Sequence, residues 1–251
     1  MTISYYGHAA NPADSATVKW ANPDGPLPIT PPSGMAAGDL VFVIVALRDI
    51  VTTLSVSNAG GQTWTSETQV ALGSVTHRRF WCTFNGTWSA NPTFTANYLG
   101  TYAKISAVML VFRPSASPTW AVDVAQATGS VTLSSPWDVT ATGQTSVDAS
   151  TVSIATWVST YQSPPVAALQ TGGWTNPDSQ TQFRNTNGTT TDLIICAAYK
   201  IQTSAGATGD VVNRLTSVAT AVYWTIETFK DQSAAPAFYQ YDWPHQLHAR
   251  R

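Results

Sequence analysis

The stretch that decides the fold is Leu40-Val41-Phe42-Val43-Ile44-Val45-Ala46-Leu47, an apolar run closed by Asp39 and Arg48. It is rich in β-branched residues and far shorter than the roughly 20 residues of a membrane-spanning helix, so it predicts a buried β-strand and no membrane span. The rest of the chain favours the same class. Short runs of Val, Ile, Thr, Phe, Tyr and Trp alternate with clusters of Gly, Pro, Asn and Asp, and no sustained helical spacing appears.

The pattern around this strand occurs twice, at a spacing of roughly 110 residues. The first copy runs from the strand at 40–47 to a Gly-Gly turn and Trp64; the second runs from the strand at 152–158 to a Gly-Gly turn and Trp174. Each copy then closes with a long apolar strand. We therefore predict an all-β, antiparallel β-sandwich, jelly-roll-like and built from two sequence-similar halves.

The repeats suggest four segments: an N-terminal extended segment at 1–32, a first β repeat at 33–126, a second at 127–229 and a C-terminal arm at 230–251. The polar stretch 127–148 is open to two interpretations, an exposed hinge between two domains or a pair of edge strands. We favour one compact body.

The composition bears on partners, because only 10% of the 251 residues are charged and the net charge is −2. Weak repulsion between copies suits a protein that packs against its neighbours. Nucleic-acid binding needs clustered basic residues, and the one basic run, His77-Arg78-Arg79, is interpreted as a solvated strand edge or turn. The sequence thus predicts no nucleic acid and no membrane as partner.

The two cysteines, Cys82 and Cys196, both stand in apolar strand-like stretches. The first residues of the chain lack the basic and apolar blocks of a secretion signal, which predicts a protein made in a host cytoplasm. Free, buried thiols are expected there, with a disulfide between the two as the alternative.

Three short motifs carry a resemblance to a known group: Gly38-Asp39-Leu40-Val41, Gly173-Trp174-Thr175 and Ala198-Tyr199-Lys200. Over about residues 28–229 the chain resembles phage and prophage virion proteins with a Gly-Asp-Leu-Leu strand, a Gly-Trp-Thr turn and a Tyr-Lys strand. The first copy departs from that pattern, because Gln62 and Thr63 precede Trp64. The resemblance implies a head decoration, head-fibre, collar or tail-tip protein of the virion, with copies of itself and other virion proteins as partners.

Residues for catalysis, cofactor binding or metal binding are not predicted, and the chain is not expected to be an enzyme. Glu67 and Glu227 stand alone, whereas glycan-cleaving enzymes use paired carboxylates. Glu227 is interpreted as a strand-edge residue facing solvent, the alternative being a buried acid with a raised pKa. His245 and His248 form at most half of a metal site.

The ten tryptophans supply the candidate contact residues. Trp64 and Trp174 follow the glycine turns and are predicted to plug the core beneath them. Trp88, Trp120 and Trp137 stand in polar, loop-like surroundings and are predicted to be exposed. They would bury in a neighbouring subunit or, as the alternative function, stack on a host surface glycan in a receptor-recognition module.

The C-terminal arm carries four large aromatic residues between Pro236 and Pro244, namely Phe238, Tyr239, Tyr241 and Trp243. Disordered ends are poor in aromatic residues, and aromatic side chains are common anchors at protein interfaces. We predict that this arm is an assembly element that docks on a neighbouring subunit.

Overall fold

The computed structural model describes residues 2–11, 26–48, 53–72, 75–97, 104–114, 119–132, 137–161, 167–179, 182–185, 192–215 and 218–231. Within these ranges the chain forms nineteen strands and one short 3₁₀ turn at Pro177–Ser179, with no α-helix. Every pairing between the described strands is antiparallel. The predicted all-β antiparallel class is confirmed.

The first half contains nine strands in two sheets. They are β1 (Ser4–Asn11), β2 (Leu27–Pro28), β3 (Leu40–Arg48), β4 (Thr53–Asn58), β5 (Thr65–Ser66), β6 (Val70–Leu72), β7 (Val75–Thr83), β8 (Thr93–Asn97) and β9 (Lys104–Arg113). The larger, inner sheet has the order β1-β9-β3-β7-β5, with β6 also paired to β7, and the outer sheet has the order β2-β8-β4.

The second half contains ten strands. They are β10 (Trp120–Val131), β11 (Trp137–Ala141), β12 (Thr145–Ser146), β13 (Thr151–Tyr161), β14 (Ala167–Leu169), β15 (Phe183–Asn185), β16 (Asp192–Gln202), β17 (Gly206–Ala207), β18 (Val211–Leu215) and β19 (Val218–Asp231). Its inner sheet has the order β10-β19-β13-β16-β15, its outer sheet the order β11-β18-β14, and β12 pairs with β17.

The four main sheets stack in layers, with the two inner sheets in the middle. One apolar cluster lies between the first half's outer and inner sheets, and another lies between the second half's inner and outer sheets. The central cluster joins the inner sheets, with Phe42 and Leu110 from the first half and Ile154 and Phe229 from the second. Each inner sheet is therefore covered on both faces.

Burial on both faces explains the apolar run that decides the fold. A sheet with one face in water alternates between apolar and polar residues, but in β3 every residue from Leu40 to Leu47 has 0% exposure. Leu40 and Phe42 point into the central cluster, while Val41 and Val43 point toward the first half's outer sheet. An unbroken apolar strand is thus what this layer requires.

The two halves share one strand order and one register. In the first half Phe42 pairs with Leu110 on one side and Trp81 on the other. In the second half Ile154 pairs in the same way with Glu227 and Tyr199. Glu227 is therefore the counterpart of Leu110, and Tyr199 the counterpart of Trp81.

Two local features recur at the strand ends of both halves, although Asp148 lies three residues before Thr151, the register counterpart of Asp39. Gly38 and Ser150, which precede β3 and β13, both have a positive φ, of 93° and 60°. Arg113 at the end of β9 donates two hydrogen bonds of 3.0 Å to the buried Asp39, and Lys230 near the end of β19 donates one of 2.6 Å to Asp148. The Gly-Asp motif thus has a structural role, since Asp39 anchors the closing strand of its half.

The boundaries of the halves differ from the predicted ones. Residues 4–11 pair with β9 as an edge strand of the inner sheet and Leu27–Pro28 pairs with β8, so these two parts of the predicted N-terminal segment belong to the first half. The first half ends at Arg113 and the second begins at Trp120, ahead of the predicted change at 126/127. The stretch 127–148 holds the end of β10 and all of β11, which are edge strands, and β19 continues to Asp231.

Cys82 and Cys196 are free and buried, as the first of the two interpretations predicts. Cys82 lies in the apolar cluster of the first half and Cys196 in that of the second. Burial raises the pKa of both thiols, that of Cys196 to about 12, so neither is poised to form a thiolate.

Candidate functional site at the seam between the halves

The seam between the two inner sheets contains ionisable side chains in an otherwise apolar layer. On β7 the residues that point toward the second half are Val75, His77, Arg79 and Trp81, because alternate residues of a strand share a face. On β19 the same rule directs Glu227 inward together with Tyr223 and Phe229. His77 is 2% exposed, Arg79 1% and Glu227 0%.

Arg79 and Glu227 form an ion pair across the seam, with 3.4 Å between Nη2 and Oε2. The guanidinium lies 6.0 Å from the centre of the Phe42 ring. The nitrogens of Arg79 and both carboxylate oxygens of Glu227 lack a hydrogen bond within the described part of the chain. The pair is therefore held by charge in an apolar environment, where breaking it would leave a buried charge alone.

Burial shifts the pKa values of Glu227 and His77 in opposite directions. Desolvation raises the pKa of Glu227 to about 7, although the nearby Arg79 lowers it in part. Desolvation, assisted by the charge of Arg79, lowers the pKa of His77 to about 3, so this imidazole is neutral at pH 7. Neutral His77 lies 6.5 Å from Tyr223, measured between ring centres.

Two sequence interpretations are wrong at this point. The run His77-Arg78-Arg79 is not a solvated edge or turn, because β7 is paired on both sides and its inward face is covered by the second half. Glu227 does not face solvent, since β19 is paired between β10 and β13 and presents it to the seam. In β7, Arg79 lies on the same strand face as Val75 and Trp81, because alternate residues share a face. This alternation was the feature of the sequence from which the burial of Arg79 could have been predicted.

The ionisable pair has no counterpart on the other side of the seam. By the register of the inner sheets, Arg79 corresponds to Ala197 and Glu227 to Leu110. Both counterparts are apolar and buried in the same central cluster. The seam is thus symmetric in backbone and asymmetric in charge.

The chemistry open to these groups is limited by access. A carboxyl with a pKa near 7 beside a guanidinium is a composition found in active sites, but 0% exposure of Glu227 keeps substrate from it. A buried pair of this kind fixes which surfaces meet and in which register. We interpret it as a structural contact between the halves.

A second polar cluster lies where β1 meets the second half. Tyr5 stacks on Tyr199 with 4.9 Å between ring centres, and its hydroxyl donates a 2.9 Å hydrogen bond to Asp178. The same carboxylate contacts Nδ1 of His8. Burial and the neighbouring carboxylate raise the pKa of the Tyr5 hydroxyl. These contacts tie the two halves at the opposite edge of the seam.

The predicted contact residues have three different outcomes. Trp120 is not exposed: it lies on β10 with 5% exposure, and its indole N–H donates a 2.8 Å hydrogen bond to the Gly38 carbonyl across the seam. Trp88 is half-buried and stacks on Phe84 at 4.9 Å. The backbone of Trp137 begins β11, whereas its side chain lies outside what the structure describes.

The other predicted residues fall elsewhere. Phe238, Tyr239, Tyr241 and Trp243 of the arm, with His245 and His248, lie outside the described residues. Trp174 is 6% exposed in the second half's apolar cluster, and Trp64 is half-buried against that of the first. Trp174 is thus buried in the core as predicted, whereas Trp64 is only partly buried.

Within the described ranges, no group of three or more His, Cys, Asp or Glu side chains is arranged to hold a metal ion. The same residues include no helix with the length and apolar character to cross a membrane. No known protein family, curated protein or solved structure matches this chain.

Proposed function

We propose that this protein is a non-catalytic structural component of a bacteriophage virion, a capsid decoration, fibre or tail protein that acts through subunit packing. The observation that carries the proposal is the four-layer stack with both inner sheets buried on both faces. Such a stack is a stiff block, and the acid and base it contains are sealed from substrate.

The strand order supports the same proposal. Apart from the short strands β5 and β6, the first half alternates along the chain between its inner and outer sheets. This gives the order β1-β9-β3-β7 in the inner sheet and β2-β8-β4 in the outer sheet, and the second half repeats the order with β10-β19-β13-β16 and β11-β18-β14. We infer from this alternation a jelly-roll connectivity with seven of the usual eight strands. Jelly rolls are frequent in viral capsid proteins and in lectins.

The surface of the described body leaves a specific role for the C-terminal arm. Among the described residues, one large apolar side chain is exposed, that of Val147 at 75%. A tight contact between subunits usually buries aromatic or aliphatic anchors. The arm supplies four in Phe238, Tyr239, Tyr241 and Trp243, so we propose that it is the main attachment element.

Mass spectrometry of purified virus particles tests the proposal, with many copies of the chain per particle expected. A chain lacking residues 236–251 should keep the unfolding midpoint of the full chain but fail to enter particles. The matched control keeps the arm's length and replaces the four aromatic residues with Ser; it should fail in the same way. Full incorporation of both variants would show that the arm is not the attachment element. Absence of the wild-type chain from particles would exclude a virion role for the protein.

A further inference from the structure

An open cavity of about 540 Å³ lies on the second half, in the segment that follows β14. Its lining includes Gln170, Thr171, Gly172, Trp174 and Asn176, and none of the lining side chains carries a charge. Amides, hydroxyls and an aromatic residue around one cavity are the groups that recognise neutral polar ligands.

The polar side chains of this cavity are held in place by the protein, and each keeps hydrogen-bonding capacity. Gln170 donates a 2.9 Å hydrogen bond from Nε2 to the Ala168 carbonyl, and Asn176 donates one of 2.9 Å from Nδ2 to the Ala197 carbonyl. Within the described residues, the side-chain oxygens of both amides accept no hydrogen bond. The cavity therefore presents two oriented acceptors.

The first half shows what lies beside the equivalent turn. There the ring of Trp88 packs on Gly60, so close that a Cβ on this glycine would be 2.9 Å from the ring. Trp88 also stacks on Trp64, with 6.4 Å between ring centres, and the Trp64 indole N–H donates to the Ala59 carbonyl. One of the chain's own rings thus covers the first turn.

The second half lacks this cover. Among the described residues, a Cβ on Gly172 or Gly173 would meet no atom within 4 Å, and the buried indole N–H of Trp174 has no partner. The segment 203–210 between β16 and β18 carries no aromatic residue, whereas the matching segment 84–92 carries Trp88. The second turn therefore has open space on the side where the first turn has a ring.

We propose that this cavity binds an uncharged saccharide, with a sugar ring beside the Gly172-Gly173 turn and hydroxyls donating to Gln170 and Asn176. The absence of charge in the lining disfavours anionic glycans. A side chain without a donor, such as Phe238 of the C-terminal arm, fits the space less well, because it would bury the two amide oxygens without a hydrogen bond. This site goes beyond the proposed structural role and does not depend on it.

A glycan array that carries neutral and anionic oligosaccharides tests the site on the full chain. We expect binding to neutral glycans. Gly172→Tyr places a ring in the open space without backbone strain, since Gly172 does not have a positive φ, and should reduce the signal at least about tenfold. Thr53→Tyr, an exposed change on β4 of the first half, is the control and should bind as wild type does.

A second variant covers the case in which Gly172→Tyr fails to fold. Gln170→Ala removes an exposed side chain with a local hydrogen bond, and it should lower binding several-fold while the unfolding midpoint stays unchanged. The proposal is wrong if wild type binds no glycan, if only anionic glycans bind, or if both cavity variants bind normally. It is also wrong if a peptide of residues 236–251 shifts the amide NMR signals of 169–179 while glycans do not.

Discussion

Nη2 of Arg79 and Oε2 of Glu227 lie 3.4 Å apart in the plane where the two halves join, and neither side chain reaches solvent. They come from strands more than a hundred residues apart in sequence, one in each half. Their contact makes the ion pair a direct probe of how the halves hold together.

Replacing one partner of this pair should be far more harmful than replacing both. Arg79→Met or Glu227→Leu alone leaves a buried polar group without its partner and should lower the free energy of unfolding by about 3–5 kcal/mol. The double variant fills the seam with apolar groups and should regain most of that loss. Urea unfolding of the four proteins gives the coupling energy, and additive losses would contradict the buried pair.

The pH dependence of stability should show two opposing slopes. His77 has a pKa of about 3 in the folded protein against an ordinary 6.5. Its contribution to the free energy of unfolding is therefore present above pH 6.5 and is lost as pH falls toward 3. Glu227 has a pKa of about 7 against an ordinary 4.5, so its contribution is present below pH 4.5 and is lost as pH rises toward 7. The two slopes oppose each other between pH 4.5 and 6.5.

Replacing His77 isolates one slope. Relative to wild type, His77→Phe should gain about 1.4 kcal/mol for each pH unit below 6.5, because the unfolded wild-type chain takes up a proton that the folded one excludes. The measurement is urea unfolding of both proteins at several pH values. A difference that stays constant with pH would show that His77 titrates normally.

Trp120 and Trp88 form a matched pair, because one indole N–H has an acceptor and the other has none. Trp120→Phe removes the hydrogen bond to the buried Gly38 carbonyl, while Trp88→Phe removes a donor without a partner in the described residues. Trp120→Phe should therefore lower the free energy of unfolding by about 1–3 kcal/mol more. Equal losses in denaturant unfolding would argue against the cross-seam hydrogen bond.

Two glycines of the second half should respond in opposite ways to alanine. A Cβ on Gly143 would lie 2.4 Å from the backbone of Gly209, so Gly143→Ala should cost about 1–3 kcal/mol. A Cβ on Gly172 meets nothing within 4 Å in the described part of the chain, so Gly172→Ala should be neutral or stabilising by up to about 1 kcal/mol. Thermal unfolding checks both, and a loss at Gly172 would show that the cavity is closed.

The all-β class was predictable because it is written in local pattern. The apolar run at 40–47 predicts a buried strand. Its lack of alternation also indicates burial on both faces, since a strand of a two-layer sandwich would leave one face in water. That run therefore already implied more than two layers. The second glycine turn likewise indicated a core residue after it, since Trp174 is buried.

The seam was not predictable in the same way, because burial there depends on which surfaces meet after folding. Arg79 has a charged neighbour in Arg78, and Glu227 is followed by the polar Thr228, so both appear locally as solvent-facing. The sequence around Trp120 contains Ser, Pro and Asp, which suggests a loop, although alternate residues of β10 point inward. Local polarity misleads wherever the covering layer comes from the other half.

The shared strand order of the halves suggests gene duplication, and the covered inner sheets bear on what such an origin would require. A single half would present an apolar sheet face to water, so a one-half ancestor would need to pair with its twin, at a stability that depends on concentration. Fusion of two copies removes that dependence. It also frees the sequence from symmetry: identical subunits must repeat each substitution on both sides of their interface, whereas this chain holds Arg79 with Glu227 on one side and Ala197 with Leu110 on the other.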